Sequence, residues 1–216
     1  MGLTTRDFTL NERPMVQTDT DPQILELNYI SLFEQSDYLP QRVLIEVGAR
    51  SLKEPAENRF LQSFIGQNFI QFAFSDKPFI ALCVNPQRTF IEKVLLLHEV
   101  FIKETGNLNP NRMSRHLYDI HRMMDTDFGL KAVKNSNLFQ TIVVHRQKYT
   151  RVRGIDYALH TPQTINFIPD EHSFKAWKQD YQIMKSNMIY GDAPSFEVLL
   201  KRMEELKVRF RQMTII

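Results

Sequence analysis

The sequence has little of several features that mark common protein classes. Cys83 is its only cysteine, so an internal disulfide is impossible and a reducing compartment such as the cytoplasm is expected. No apolar run approaches the roughly 18–20 residues that span a bilayer. The first ten residues, MGLTTRDFTL, lack the apolar core of a secretory signal. We therefore expect a cytoplasmic protein with no membrane-spanning segment.

Catalytic signatures are also missing. There is no HExxH, CxxC, GxxxxGK[ST], GxGxxG or GxSxG motif, which disfavours the zinc, P-loop, dinucleotide and serine-hydrolase sites that these patterns indicate. Two Asp-x-Asp triplets, at 19–21 and 125–127, could hold Mg²⁺. The first triplet comes directly before a proline, and the second lies between two predicted helices. Both positions favour turn and cap roles for the aspartates. His98 lies on the apolar side of its helix and is expected to be a hydrogen-bonded core histidine.

Negative charge is missing from one segment. The net charge of +2 over 216 residues is too small to require a polyanionic partner. From residue 128 to 155, however, there is no acidic residue, and the basic residues there are Lys131, Lys134, Arg146, Lys148, Arg151 and Arg153. This asymmetry indicates either a surface that faces phosphate groups or a solvated basic face packed against acidic helices.

The hydrophobic pattern predicts strands first and helices afterwards. Alternating apolar residues predict strands at 23–30 and 42–50, and a continuous apolar run predicts a strand buried on both faces at 79–86. The first twenty residues are expected to form a loop or an extension that depends on a partner. Helical periodicity begins after Pro86, and the predicted helices lie at about 87–104, 110–125, 128–138, 170–189 and 194–213. A strand-like pair is predicted at 138–147 and 149–155. This order predicts an α+β fold with a helical C-terminal half.

Two charged residues stand out in the first two predicted helices. Lys93 lies about 100° from the polar face of its helix, on the flank of the apolar side. A lysine needed only for solubility would be expected on the polar face. Asp119 follows Arg115 by four positions and precedes Arg122 by three. Helix geometry alone therefore places it in an exposed ladder of ion pairs.

These helices resemble the C-terminal portion of AbiEii-type nucleotidyltransferases, the toxins of abortive-infection (type IV) bacterial toxin–antitoxin systems. The resemblance begins with RTFIEK and LLHE (within 88–99) and SRHLYDIHRM (114–123). Further similar blocks are VLIEVGARS (43–51), VVHRQKY (143–149), DYQIMKSNMIYG (180–191) and PSFEVLLKRMEEL (194–206). It implies a nucleotidyltransferase fold, with a strand-rich remainder of the core at 1–86 and a mainly helical part carrying the later family motifs at 87–216.

The resemblance also assigns roles to residues. Lys93 and Asp119 match the family's catalytic lysine and aspartate, and Arg88 and Arg115 in the same motifs are candidate nucleotide-binding residues. The implied substrate is a nucleoside triphosphate used with Mg²⁺, and the implied reaction transfers NMP to an RNA or protein acceptor. An ammonium group beside the phosphates would neutralise charge as pyrophosphate leaves. In this interpretation Lys93 leaves the polar face because it faces a nucleotide.

One family motif is not found. The family places a Gly-Ser or Gly-Thr turn before an Asp-x-Asp strand that binds metal, but none of the seven glycines precedes serine or threonine. No metal ligand is therefore assigned, and His116 stands where the family often has an aspartate. The hypothesis is the C-terminal part of a toxin-like nucleotidyltransferase, inactive alone because a missing N-terminal segment of the same protein carries the metal site.

The same resemblance offers an alternative function for the chain and indicates its binding partners. The alternative is a non-catalytic binding module derived from the family. A helix-turn-helix regulator is disfavoured because no short helix pair has a basic recognition face. The expected partners are a cognate antitoxin or transcriptional regulator and a tRNA acceptor. The candidate RNA-facing residues are Arg146, Lys148, Arg151 and Arg153.

Overall fold

The computed structural model describes residues 8–12, 23–31, 38–48, 52, 54–103 and 110–214. The chain forms two compact units, of which the first spans residues 1–35 and 41–85 and the second spans residues 36–40 and 86–216. All described strands lie in the first unit, and all helices of ten or more residues lie in the second. The predicted α+β fold is therefore confirmed.

A three-stranded antiparallel sheet forms part of the first unit. Its strands are β1 (Phe8–Glu12), β2 (Gln23–Tyr29) and β3 (Arg42–Val47), in the order β1-β2-β3. Leu10 lies opposite Leu27, and Leu25 lies opposite Ile45. The strands predicted near 23–30 and 42–50 are confirmed. The loop prediction is wrong for Phe8–Glu12, because pairing with β2 gives this short segment a strand conformation that its own pattern does not reveal.

The rest of the first unit is a hairpin with a short helix. Strands β4 (Ala56–Leu61) and β5 (Phe79–Val84) pair antiparallel, and helix α1 (Phe64–Asn68) lies between them in sequence. The Ser63 hydroxyl caps α1 by accepting a hydrogen bond from the Gly66 N–H at 2.9 Å. The prediction that β5 is buried on both faces is wrong, since Phe79, Ile80 and Leu82 are all more than half exposed. Among the described residues β5 pairs with β4 alone.

Helices make up the second unit. They are α2 (Pro86–Ile102), α3 (Ser114–Met123), α4 (Asp127–Ala132), α5 (Ser136–His145), a π-helix (Arg146–Thr150), a 3₁₀ turn (Tyr157–Leu159), α6 (Glu171–Met188) and α7 (Phe196–Arg211). Asp170 caps α6 by accepting from the Ser173 N–H at 2.8 Å, and Ser195 caps α7 in the same way. The helices predicted at about 170–189 and 194–213 are confirmed with ends shifted by at most two residues.

Two predictions for the middle of this unit are wrong. The helix expected at 128–138 is divided between α4 and α5, because the side chain of Asn135 caps a new helix by accepting from the Leu138 N–H at 3.0 Å. The strand-like pair expected at 138–147 and 149–155 is instead the rest of α5 followed by the π-helix. A short run of apolar and β-branched residues does not separate a buried strand from a buried helix.

Helix α2 lies at the centre of the second unit. It packs against α3, α4 and α5. Phe90, Val94 and Leu97 of α2 are completely buried, as are Trp177 of α6 and Phe210 of α7. Because other helices pack on α2, its backbone is held in a fixed position within the unit. Lys93 is half-buried on this helix.

Candidate active site

The side chains of Lys93 and Asp119 meet between α2 and α3. Lys93 Nζ donates a hydrogen bond to Asp119 Oδ2 at 2.8 Å. The two side chains are 23% and 42% exposed, so the pair is reachable by a ligand. The two residues that the resemblance matches to one catalytic site thus meet. The exposed ladder of ion pairs expected from helix geometry alone is wrong, since Asp119 pairs with Lys93 and forms no ion pair with Arg115 or Arg122. The catalytic roles of the pair stay a prediction.

His116 supplies a second acceptor for the same lysine. Its Nδ1 lies 3.4 Å from Lys93 Nζ. Burial, together with the nearby charges of Lys93 and Arg115, lowers the pKa of His116 to about 4. The imidazole is therefore neutral near pH 7, and Nδ1 can accept a hydrogen bond from the ammonium group. A neutral ring at this position leaves more of the positive charge of Lys93 uncompensated than a second carboxylate would.

The two candidate nucleotide-binding arginines differ in position. Arg115 is exposed on α3 one turn before Asp119, so both residues lie on the same face of that helix. Arg88 is nearly buried, and its Nε donates to Glu92 Oε1 at 2.9 Å. It precedes Lys93 by five positions, which places it about 140° around α2. The structure thus brings Arg115, but not Arg88, to the face that carries the Lys93–Asp119 pair.

A cavity of about 270 Å³ opens beside Asp119. Its lining residues are Tyr38, Arg112, Arg115, Tyr118, Asp119, Met184, Met188 and Ile189. Sequence reasoning missed this cavity. The one signal that could have indicated part of it is spacing, because Arg115, Tyr118 and Asp119 at i, i+3 and i+4 share one helix face.

Asp180 on α6 fixes one wall of this cavity. Its carboxylate accepts hydrogen bonds from the backbone N–H groups of Arg112 at 2.7 Å and Ser114 at 2.9 Å. These bonds satisfy donors at the start of α3, which has no side-chain cap of its own. Arg112 adopts the left-handed backbone region with φ = 60°, and its guanidinium lies 4.7 Å from the centre of the Tyr38 ring. Asp180 therefore holds the arginine against the tyrosine.

A buried charged network lies farther along α2. Arg146 Nε donates to Glu99 Oε1 at 2.8 Å, a second guanidinium nitrogen bonds Oε2, and His160 Nε2 lies 3.3 Å from Oε1. Burial alone would raise the pKa of Glu99, but the hydrogen bonds from Arg146 and His160 outweigh it and lower the pKa. The network ties α2 to the end of α5 and to the segment after the π-helix.

His98 is a core histidine, as predicted. Its Nδ1 accepts from the Asn166 N–H at 3.0 Å, and its Nε2 lies 3.2 Å from the Leu159 carbonyl oxygen. Burial, and next the neighbouring His160, lower the pKa of His98 to about 4. The ring is therefore neutral near pH 7, with the proton on Nε2 to satisfy the carbonyl. It has a structural hydrogen-bonding role.

The four residues expected to face RNA differ in their exposure to solvent. The Arg146 side chain is only 13% exposed and bonds Glu99, so it does not belong to an exposed basic surface. Lys148, Arg151 and Arg153 are exposed. Their direction depends on the π-helix, which ends where the Arg151 N–H donates to the Arg146 carbonyl at 3.0 Å.

Comparison with protein families decides the identity of the chain. A family model described as "Nucleotidyl transferase AbiEii toxin, Type IV TA system" matches residues 3–202. The chain belongs to the AbiEii family. The resemblance noted in the sequence is thereby confirmed, and a toxin of this kind implies a cognate antitoxin. Searches of curated proteins and of solved structures gave no match.

The AbiEii family implies use of a nucleotide and a metal, but the described residues do not fit a metal site. No group of three or more His, Cys, Asp or Glu side chains in the described ranges could hold an ion. Asp125 pairs with Arg202 and Arg209, and Asp127 lies in the first turn of α4 after the cap residue Thr126. The turn role predicted for Asp125 is confirmed. The cap role predicted for the triplet is wrong for its aspartates, because the Thr126 hydroxyl caps α4 by accepting a hydrogen bond from the Gly129 N–H at 3.3 Å. The triplet at 19–21 lies outside the described residues.

The described helices were also searched for membrane spans. None has both the length and the apolar character needed to cross a bilayer.

Proposed function

We propose that this AbiEii chain supplies the lysine and aspartate of a nucleotidyltransferase active site that moves NMP from a nucleoside triphosphate to an RNA or protein acceptor. The observation that carries the proposal is the hydrogen bond between Lys93 Nζ and Asp119 Oδ2 at 2.8 Å, in a position open to a ligand. Both residues lie within the part of the chain that the family model matches.

Lys93 has the donors that a phosphate site requires. An ammonium group carries three N–H donors, and Asp119 uses one of them while His116 lies near a second. At least one donor remains for a phosphate oxygen. Because α2 is packed on several sides, the ammonium is positioned before the ligand arrives, which is the condition for effective electrostatic stabilisation.

The family match supports the following reaction at this pair. An oxygen of the acceptor hydroxyl attacks the α-phosphorus of the triphosphate, the bond from that phosphorus to the pyrophosphate oxygen breaks, and the acceptor proton passes to solvent. Negative charge grows on the departing pyrophosphate. In this proposal the charge of Lys93 stabilises that group, and Asp119 keeps the ammonium oriented.

We propose that a further segment of the same protein, N-terminal to this chain, carries the Gly-Ser turn and the metal-binding carboxylates. Apolar surface in the first unit supports this proposal, because a two-stranded hairpin is marginal without cover. Side chains of the hairpin and its connection that are at least 60% exposed are Phe60, Phe64, Ile70, Phe74, Ile80 and Leu82. Apolar surface of this extent marks a face that another element covers.

The same surface also favours the alternative, a non-catalytic module that binds an antitoxin. The DNA immediately upstream of the codon for Met1 discriminates between the two proposals. An in-frame Gly-Ser…Asp-x-Asp sequence supports the enzyme, and a promoter with no such reading frame supports the module.

We propose RNA, with tRNA as the specific candidate, as the acceptor. Lys148, Arg151 and Arg153 are exposed, and the segment from 128 to 155 contains no acidic residue. Contacts of this type with phosphates give affinity that depends on salt and little on sequence.

Nucleotide transfer and binding by the chain alone test this function. We expect no incorporation of label from α-³²P NTPs into RNA or protein in the presence of Mg²⁺. Calorimetric titration with each NTP and Mg²⁺ is expected to show no micromolar affinity. Micromolar binding would instead locate a metal site within this chain, with Asp19 and Asp21 as the first candidates.

A further inference from the structure

We infer that the cavity between α3 and the C-terminal end of α6 binds the base of a mononucleotide whose phosphates lie beside Arg115 and Lys93. This inference rests on the proposed function, because it uses the same Lys93–Asp119 pair as the phosphate end of the site. It adds a second part to that site, to which Tyr118, Met184 and Met188, residues with no role assigned so far, contribute.

The cavity has the size and walls that a single flat ring requires. Its volume of about 270 Å³ is just below the range for drug-sized ligands, which begins at roughly 300 Å³. One side is apolar and comes from Met184, Met188 and Ile189 at the end of α6, while Tyr118 of α3 contributes an aromatic ring. Aromatic faces stack on bases of any sequence, and methionine adapts to the shape of a planar ligand.

The charges around the cavity favour an anionic ligand. Arg112 and Arg115 both line it, and the one acidic residue among its lining residues, Asp119, is already paired with Lys93. Arg115 is exposed and has no ion-pair partner among the described residues. The Arg112 guanidinium is stacked on Tyr38. Three cations, Lys93, Arg112 and Arg115, stand against the carboxylates of Asp119 and Asp180. An aromatic ligand without negative charge would leave the remaining positive charge uncompensated.

The helical spacing connects the two ends of the proposed ligand. Arg115, Tyr118 and Asp119 lie on one face of α3, and the axial rise from residue 115 to residue 119 is about 6 Å. A ligand whose ring contacts Tyr118 therefore has Arg115 and the Lys93–Asp119 pair within one turn of helix. An aromatic ring joined to phosphate groups, as in a nucleotide, matches this arrangement. We favour a free mononucleotide over the end of an RNA chain, because the cavity has room for one ring system.

Titrations observed by ³¹P NMR on the full chain can separate the base from the phosphates. The probes are the four NTPs and inorganic tripolyphosphate, each titrated into wild type and into Tyr118→Ala, Tyr118→Phe and the control Tyr149→Ala. We expect at least one NTP to bind more tightly than tripolyphosphate. Tyr118→Ala should weaken NTP binding roughly tenfold, in line with the loss of one stacking contact, and leave tripolyphosphate binding unchanged. Tyr118→Phe and Tyr149→Ala should retain the wild-type affinities.

A second variant keeps the test decisive if Tyr118→Ala does not fold. Met188 is 46% exposed at the rim of the cavity, so Met188→Glu adds a negative charge there without disturbing the core. It should weaken NTP binding, while the emission of the buried Trp177 reports an unchanged fold. Equal affinities of wild type for NTP and tripolyphosphate would overturn the inference. So would NTP binding that is insensitive to both variants, or Tyr118-dependent binding of a short single-stranded RNA but of no NTP.

The binding results also show whether the proposed function or only the base cavity is wrong. If Lys93→Met leaves tripolyphosphate binding unchanged, the phosphate end of the site is wrong whatever the base does. If Lys93→Met abolishes tripolyphosphate binding and Tyr118→Ala has no effect on NTP binding, the base cavity alone is wrong.

Discussion

Replacing Glu99 by alanine should destabilise the second unit more than almost any other single change of a charged residue. Glu99 is 4% exposed and bonds both Arg146 and His160. Truncation leaves the Arg146 guanidinium, itself mostly buried, without its counter-charge. Removing one partner of a buried ion pair typically costs about 3–5 kcal/mol, and we expect Glu99→Ala to lower the free energy of unfolding by this amount.

Two further variants identify the origin of that loss. Glu99→Gln keeps the shape and one acceptor oxygen, so it should lose less than Glu99→Ala. The double variant Glu99→Leu with Arg146→Met removes both charges and should recover most of the stability, because well-packed apolar residues can replace a buried pair. Glu205→Ala is the control, since its pair with Arg202 is partly exposed. It should change stability by at most about 1 kcal/mol.

Urea unfolding followed by tryptophan emission measures these effects. Trp177 is the only tryptophan. It is completely buried, with its ring 4.7 Å from that of Phe101, so its emission reports the second unit specifically. If Glu99→Ala unfolds within about 1 kcal/mol of wild type, the buried network does not stabilise the helical unit and the reasoning is wrong.

Three other predictions concern pH, capping and RNA. Because burial lowers the pKa of His98 to about 4, the unfolded state binds a proton first as pH falls from 6.5. Stability should therefore decrease between pH 6.5 and 4 by up to roughly 3 kcal/mol from this residue, and His98→Gln should flatten the curve. Asp180→Ala should cost about 1–2 kcal/mol in urea unfolding, as expected for loss of a helix cap. Alanine at Lys148, Arg151 and Arg153 together should weaken RNA binding and reduce the slope of log affinity against log salt by about 2.

Each of these predictions has a control and a contradicting result. For pH, the same dependence in wild type and His98→Gln would show that His98 is not the titrating group. For the cap, Asp180→Asn should keep much of the stability, and equal losses from Asn and Ala would argue against capping. For RNA, three exposed cations elsewhere (Lys175, Lys201 and Arg211) give a triple-alanine control with the same charge. An equal salt slope in both triple variants would contradict a dedicated RNA surface.

The bounds of helices with clear capping residues could be predicted from the sequence. The secondary structure of short apolar segments could not. Helix α6 lies within two residues of its prediction because Asp170 caps it and its apolar period is regular. Helix α5 was mistaken for a strand because residues 141–144, TIVV, fit either structure. Tertiary packing rather than local preference decides such cases. For strand β5 the secondary structure was predicted correctly and the burial was not. An apolar run shows that a strand could be buried, but it does not show whether another element covers it.

Some features of the candidate site could also be predicted from the sequence, and others could not. The meeting of Lys93 and Asp119 could be expected from the resemblance, which matches both residues to one catalytic site, whereas helix geometry alone placed Asp119 in exposed ion pairs. The cavity was not, since it joins Tyr38, Arg112 and the end of α6, which are far apart in sequence. The role of Arg146 was also hidden, because its partner Glu99 lies 47 positions earlier. Local charge patterns predict a surface, and only packing reveals which of its cations are already paired.

The most direct test of the central claim is calorimetric titration of tripolyphosphate into wild type, Lys93→Met and Lys175→Met at one fixed ionic strength. Lys175 is an exposed lysine on α6, so the two variants lose the same charge. We predict weak binding to wild type, nearly unchanged binding to Lys175→Met and no detectable binding to Lys93→Met. Identical isotherms for the two variants would contradict the claim that the Lys93–Asp119 pair forms the phosphate end of a nucleotidyltransferase site.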